Sequence, residues 1–169
     1  MEKVEINKTM HLSEHFKLGE VTKSRHSEVY NIPSHVAIEN LKRVCEWLEA
    51  LRLRYNLRNV CGSVSPPVLG GEIDTEEPII INSGYRSPEL NKKVGGSPTS
   101  NHLTGCAVDI RVNGIEQAMR YAVILMDYAD ETKQDYDELL IERNRSGGYW
   151  LHFAVRPKDN RRKTMFLQK

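Results

Sequence analysis

Ser83-Gly84-Tyr85-Arg86-Ser87-Pro88 and Ser100-Asn101-His102-Leu103-Thr104-Gly105-Cys106-Ala107-Val108-Asp109 gather a guanidinium, an imidazole and a carboxylate into one short stretch. Tyr149-Trp150-Leu151-His152-Phe153 adds a second imidazole further on. A hydrolytic zinc centre takes three protein ligands and leaves one position to water. Neutral imidazole nitrogen and carboxylate oxygen both suit that ion. His102, Asp109 and His152 are therefore read as the ligands of one zinc ion. Taken alone, the spacing from His102 to Asp109 equally describes an ordinary hydrogen-bonded pair.

Such a set works only if its elements bring it together. Cys106 to Val112 alternates as a strand, with Val108 and Ile110 on one face and Ala107, Asp109 and Arg111 on the other. Leu139 to Glu142 and Tyr149 to Val155 read as the arms of a hairpin turning over Arg143 to Gly148. In the returning arm Leu151, Phe153 and Val155 share a face, opposite Trp150, His152 and Ala154. If the strands of Asp109 and His152 are neighbours, both ligands project from one side of a sheet. Gly105 lets the chain turn from the loop of His102 into the strand of Asp109.

The remaining elements read as scaffold. A helix is expected from Ser34, its N-cap, to about Tyr55, burying Val36, Ile38, Leu41, Val44, Cys45, Leu48 and Leu51. A second spans Gly114 to Ala129 with Ile115, Ala118, Met119, Ala122, Leu125 and Met126 as its apolar stripe. Pro78 to Ser83 is a short strand, and Ser87-Pro88 opens a short helix to Lys93. Within residues 12–22 an extended piece precedes a helical turn. Residues 59–77 form a long glycine- and proline-bearing loop, either the rim of a site or a surface insertion. The tail from Arg156 to Lys169 carries six cations against Asp159. It is read as a solvated tail, with attraction to an anionic wall polymer as the alternative. The fold class is α+β: helices packed on an antiparallel sheet that bears the site.

Composition narrows the setting. At 169 residues with a formal net charge of +1, one domain is expected and no global field points to nucleic acid. No apolar run is long enough for a membrane span. The first residues show no apolar signal core, so retention in the cytoplasm, export by another route and a trimmed signal all stay open. Cys45, Cys61 and Cys106 make neither a disulfide framework nor a thiolate metal site. Cys45 and Cys106 are expected to be buried as small hydrophobes. His11, His15, His26 and His35 match no metal spacing and are read as solvated or locally packed.

The whole string, Ser-Gly-Tyr-Arg-Ser-Pro at 83–88, Leu90-Asn91, Val94-Gly95-Gly96, Ser-x-His-x-x-Gly-x-Ala-x-Asp-Ile at 100–110 and Trp-x-His at 150–152, resembles the M15 metallopeptidases. That family includes zinc D-alanyl-D-alanine carboxypeptidases, D-alanyl-D-alanine dipeptidases and phage L-alanyl-D-glutamate endolysins. The resemblance implies a zinc peptidase acting as a monomer on peptidoglycan stem peptides. It maps the zinc ligands onto His102, Asp109 and His152. It maps a substrate- or oxyanion-holding arginine onto Arg86 and a serine lining the substrate site onto Ser100. Tyr85, Tyr149 and Trp150 are read either as cleft walls, with Tyr85 and Trp150 as substrate contacts, or as core aromatics.

One departure concerns the base. Family members often carry a glutamate or histidine just before the last ligand, where this chain has Tyr149, Trp150 and Leu151. In one branch, and in the related hedgehog signalling domain, the glutamate lies further upstream. Glu142 is therefore assigned as general base and acid, with Glu138 and Asp137 in reserve. Three functions are weighed: the peptidase, a non-catalytic zinc-containing binding module, and a phage or cell-wall structural protein in which the motif is accidental.

Overall fold

The computed structural model describes residues 7–62 and 76–169. The expected loop at 59–77 lies largely outside the described residues, as does the side chain of Cys61. Its first residues, however, belong to a helix.

The chain opens with an isolated bridge between His11 and Lys17 and a short helix α1 (Leu18–Thr22). Helix α2 (His35–Gly62) follows. Ser34 caps it as expected, its Oγ accepting from the Ala37 amide at 3.2 Å. The helix runs past Tyr55 because its polar continuation is tied down. Buried Asn56 accepts from the Glu77 amide at 2.9 Å and donates to the Glu77 carbonyl. Arg54 and Arg58 reach Glu131 and Asp127 on the facing helix. Val36 points to solvent, and the stripe it was assigned to is completed instead by Ala37 and Trp47.

Strand β1 (Ile81–Ser83) leads into α3 (Pro88–Lys93), capped by Ser87, and then a 3-10 turn at Asn101–Thr104. Strand β2 (Ala107–Arg111) precedes α4 (Ile115–Thr132). The buried face of α4 carries Ala118, Tyr121, Ala122, Ile124, Leu125 and Ala129, while Ile115 and Met119 are exposed. The face is rotated from the expected one because Tyr121 packs edge-on against Tyr55, at 4.8 Å between centroids. The hairpin of β3 (Glu138–Arg143) and β4 (Tyr149–Ala154) forms as expected.

The tail departs from expectation. Lys163–Gln168 is strand β5, parallel to β3 at the sheet edge. Its cations are mostly paired: Arg156 and Arg161 with Asp137, Arg162 with Asp130 and Asp135, and Lys169 with Glu142.

The five strands run in the order β1-β2-β4-β3-β5, antiparallel apart from the last pair. One face, with Val108, Ile110, Leu139, Leu151 and Phe153, packs in a common core with residues of α2 and α4. Trp47 sits at its centre, 5.4 Å from Phe153 and 4.9 Å from Tyr128 between ring centroids. Cys45 and Cys106 are buried free thiols, as expected. Among the described residues, no helix is long and apolar enough to cross a membrane.

Candidate metal centre and active site

The other face of the sheet carries the chemistry. Strands β2 and β4 are neighbours, and Asp109 lies directly opposite His152 in their register. Period-two alternation then sends both side chains to the side away from the core. His102 arrives from the 3-10 turn, which Ser100 caps by accepting from the His102 amide at 3.3 Å. Gly105 ends that turn at φ +73, a left-handed conformation that costs glycine no steric penalty. A Cβ there would run into the Ala37 carbonyl oxygen of α2. The turn is therefore seated against the helix, and His102 is held above the strand of Asp109.

One ligand-capable atom from each of His102, Asp109 and His152 lies within 4.8 Å of the others. His102 Nε2 is 3.3 Å and His152 Nδ1 is 3.0 Å from Asp109 Oδ1. The opposite ring nitrogens are occupied. His102 Nδ1 donates to the Gly84 carbonyl at 2.6 Å, and His152 Nε2 faces Glu138 Oε2 at 3.3 Å. Metal-binding histidines commonly give their second N–H to a carbonyl or carboxylate. Both rings meet that pattern, so the donor set fits a divalent cation that prefers nitrogen and oxygen. Asn101, next to His102, donates to Glu138 at 3.1 Å and to Asp137 at 2.7 Å.

The electrostatics agree. Burial pushes the Asp109 carboxyl up, but the imidazoles of His102 and His152 outweigh it and hold the group well below the usual range. Burial works against a charged His152 ring; the carboxylates of Asp109 and Glu138 prevail and raise it to about 9. Glu138 is lowered to about 2, chiefly by its bond to His152 and against its burial. Carboxylates thus converge on one cationic position.

Arg86 joins this centre. Its Nη2 donates to Asp109 Oδ2 at 2.5 Å and its Nε to Ser83 Oγ at 2.9 Å. Glu142 shares the site-facing side of β3 with Glu138 and stands opposite Trp150. It is buried, at 3% exposure, and its Oε2 meets Lys169 Nζ at 2.8 Å. Lys169 also lies over the Trp150 ring, 5.4 Å from its centroid. Tyr85 is buried among core residues, so of its two readings the structure favours the core one over the cleft wall. Tyr149 packs beside Phe166. Asp137, held in reserve as a base, is fully buried between Arg156 and Arg161 and is structural. The roles of Asn101 and Lys169 were not anticipated. Alternation of Glu138 with Glu142 along one strand was the signal for Glu138.

A family model described as Peptidase M15 matches residues 71–134. Over that span the chain is similar to the M15 peptidases. The similarity supports a metallopeptidase. The matched span includes Arg86, Ser100, His102 and Asp109 and ends before Glu142 and His152, so the fold itself brings the last two to the site. A comparison with curated protein sequences finds no match.

Proposed function

We propose that this chain is an M15-type zinc peptidase that hydrolyses peptide bonds in the stem peptides of peptidoglycan. The observation that carries this reading is the meeting of His102, Asp109 and His152 within 4.8 Å on the face of the sheet away from the core. His102 and His152 would hold the ion through ring nitrogens and Asp109 through a carboxylate oxygen. When bound, the ion supplies Lewis acidity toward water and a peptide carbonyl.

The chain's own groups do the rest. Gly84 and Glu138 fix the two rings by accepting their outer N–H groups. Glu142 takes the proton of the attacking water and passes it to the departing amine. Arg86 has N–H groups beyond those bonded to Asp109 and Ser83, and these stabilise the carbonyl oxygen as negative charge develops on it. Trp150 and Ser100 flank the substrate.

The direct test is digestion of purified peptidoglycan, with the fragments identified by mass. New amino groups or released amino acids, abolished by a chelator and restored by zinc, are expected. An undigested wall together with well under one zinc per chain would overturn the reading.

One observation favours a second reading, a zinc-containing binding module without turnover. Glu142 is ion-paired with Lys169 rather than free. Zinc at one per chain with tight peptidoglycan binding and no cleavage would select it.

A further inference from the structure

Beside the metal centre lies a cleft of about 650 Å³, a size that takes one or two amino-acid residues. Its basic wall is Lys23, Arg25, His26, Arg86 and Arg111, and among the described residues no acid lines it. The concentration of positive charge is local, since the whole chain carries only +1. Two wall residues meet a carboxylate from outside the cleft: His26 has Glu28 3.3 Å from its Nδ1, and Arg86 has Asp109. Among the described residues the Arg111 side chain bonds only the neutral Asn82, at 3.2 Å. Among the described residues, Lys23 and Arg25 meet no carboxylate. Leu90 and Val94 add a small apolar surface.

The position of the cleft is informative. Arg111 lies two residues beyond Asp109 on the same strand, and alternation puts it on the site side of the sheet. Arg86 borders the cleft and bonds Asp109. An anion held there is therefore next to the centre where the bond is cut. Lys23 and Arg25 come from the segment after α1, outside the stretch that matches the family.

We propose that this cleft is a carboxylate subsite, in which Lys23, Arg25 and Arg111 bind a carboxylate-bearing residue of the substrate while Leu90 and Val94 accommodate a short aliphatic side chain. Planar guanidinium groups match a carboxylate in two-pronged geometry, and lysine adds a point charge. The inference rests on the reading of the His102-Asp109-His152 centre as the place of hydrolysis. The carboxylate has two sources: the free C-terminus of a stem peptide, or the acidic residue inside it. The first makes the enzyme a carboxypeptidase and the second an endopeptidase.

The test has a binding arm and a kinetic arm, both on the full chain loaded with zinc. In the first, N-acetyl-D-alanine and its amide are titrated and followed by NMR. The acid should bind at least about ten-fold more tightly than the amide, one charge-assisted contact's worth. The doubly substituted Lys23→Gln/Arg25→Gln protein should lose that preference, and a Lys42→Gln/Lys158→Gln protein of equal charge should keep it. Equal affinity for acid and amide, no measurable binding of either, or a preference that survives the Lys23/Arg25 substitutions overturns the subsite, even if the wall is digested. In the second arm, kcat/KM is compared for stem peptides amidated at the C-terminus or at the internal acidic residue. The amidation that lowers kcat/KM, through KM and only while Lys23 and Arg25 are present, identifies the source. No effect of either amidation overturns the subsite. If the binding preference appears without any hydrolysis, the subsite stands and the peptidase reading fails.

Discussion

Glu142 and Glu138 stand four residues apart on one face of β3, yet their surroundings give them different work. Glu138 faces an imidazole nitrogen and takes a hydrogen bond from Asn101. Glu142 has no metal-ligand contact and pairs with Lys169. Their amide variants should therefore fail in different ways. Glu142→Gln should keep one zinc per chain with unchanged affinity and lose about 10²-fold or more in kcat, as removal of a general base usually does. Glu138→Gln should weaken zinc binding by about 10–100-fold, the usual effect of losing an outer partner of a ligand. Its kcat at saturating zinc should fall much less. Competition against a metallochromic chelator, run alongside peptide hydrolysis, separates the two. If the outcomes are reversed, Glu138 is the base.

At the scale of elements, the donor set was legible because its residue types are unusual and its strands alternate cleanly. Val108 and Ile110 against Asp109, and Leu151 and Phe153 against His152, assign the faces without coordinates. Strand β5 was not legible. Lys163-Thr164-Met165-Phe166-Leu167-Gln168 lies at an edge, with Met165 and Phe166 exposed, so no buried period marks it and its parallel pairing with β3 is non-local. The extension of α2 was hidden for a different reason: buried Asn56 holds it through hydrogen bonds rather than apolar contact. Gly105 shows how an element aims a ligand. Gly95 and Gly105 have nearly equal positive φ, +72 and +73, but nothing lies within 4 Å of a Cβ at Gly95, whereas one at Gly105 meets the α2 backbone. Gly95→Ala should cost about 1–2 kcal/mol, the left-handed penalty alone, and leave zinc affinity unchanged. Gly105→Ala should cost more and also weaken zinc binding by displacing His102. Thermal unfolding of the chelator-treated proteins and zinc titration check this. Equal effects of the two substitutions would show that the turn does not position His102 through α2.

Across the whole molecule, the site is kept in register by an ion cluster at the base of the sheet. Asp137 immediately precedes β3; its amide donates to the Ala154 carbonyl of β4, and its carbonyl accepts from the Lys163 amide of β5. Its buried carboxylate meets Arg156 and Arg161, each at 2.7 Å, and takes a hydrogen bond from Asn101 beside His102. Burial pushes this carboxyl up, but Arg161, Asn101 and Arg156 outweigh it and bring it from an ordinary 3.8 to about 2. A carboxyl depressed in the folded state stabilises fully above its unfolded pKa and loses that contribution as pH falls toward its folded one. The cluster should therefore hold at neutral pH and fail between pH 3.8 and about 2. Asp137→Asn removes the charge and leaves two arginines facing a neutral amide. That variant should unfold at a lower temperature at pH 7, and the gap from the parent should narrow as pH drops through this window. Comparing the two chains, both treated with chelator, cancels the shared titration of Asp109 and Glu138. Melting curves whose separation stays constant from pH 7 to pH 2 would mean that the carboxylate of Asp137 does not hold β3, β4 and β5 together.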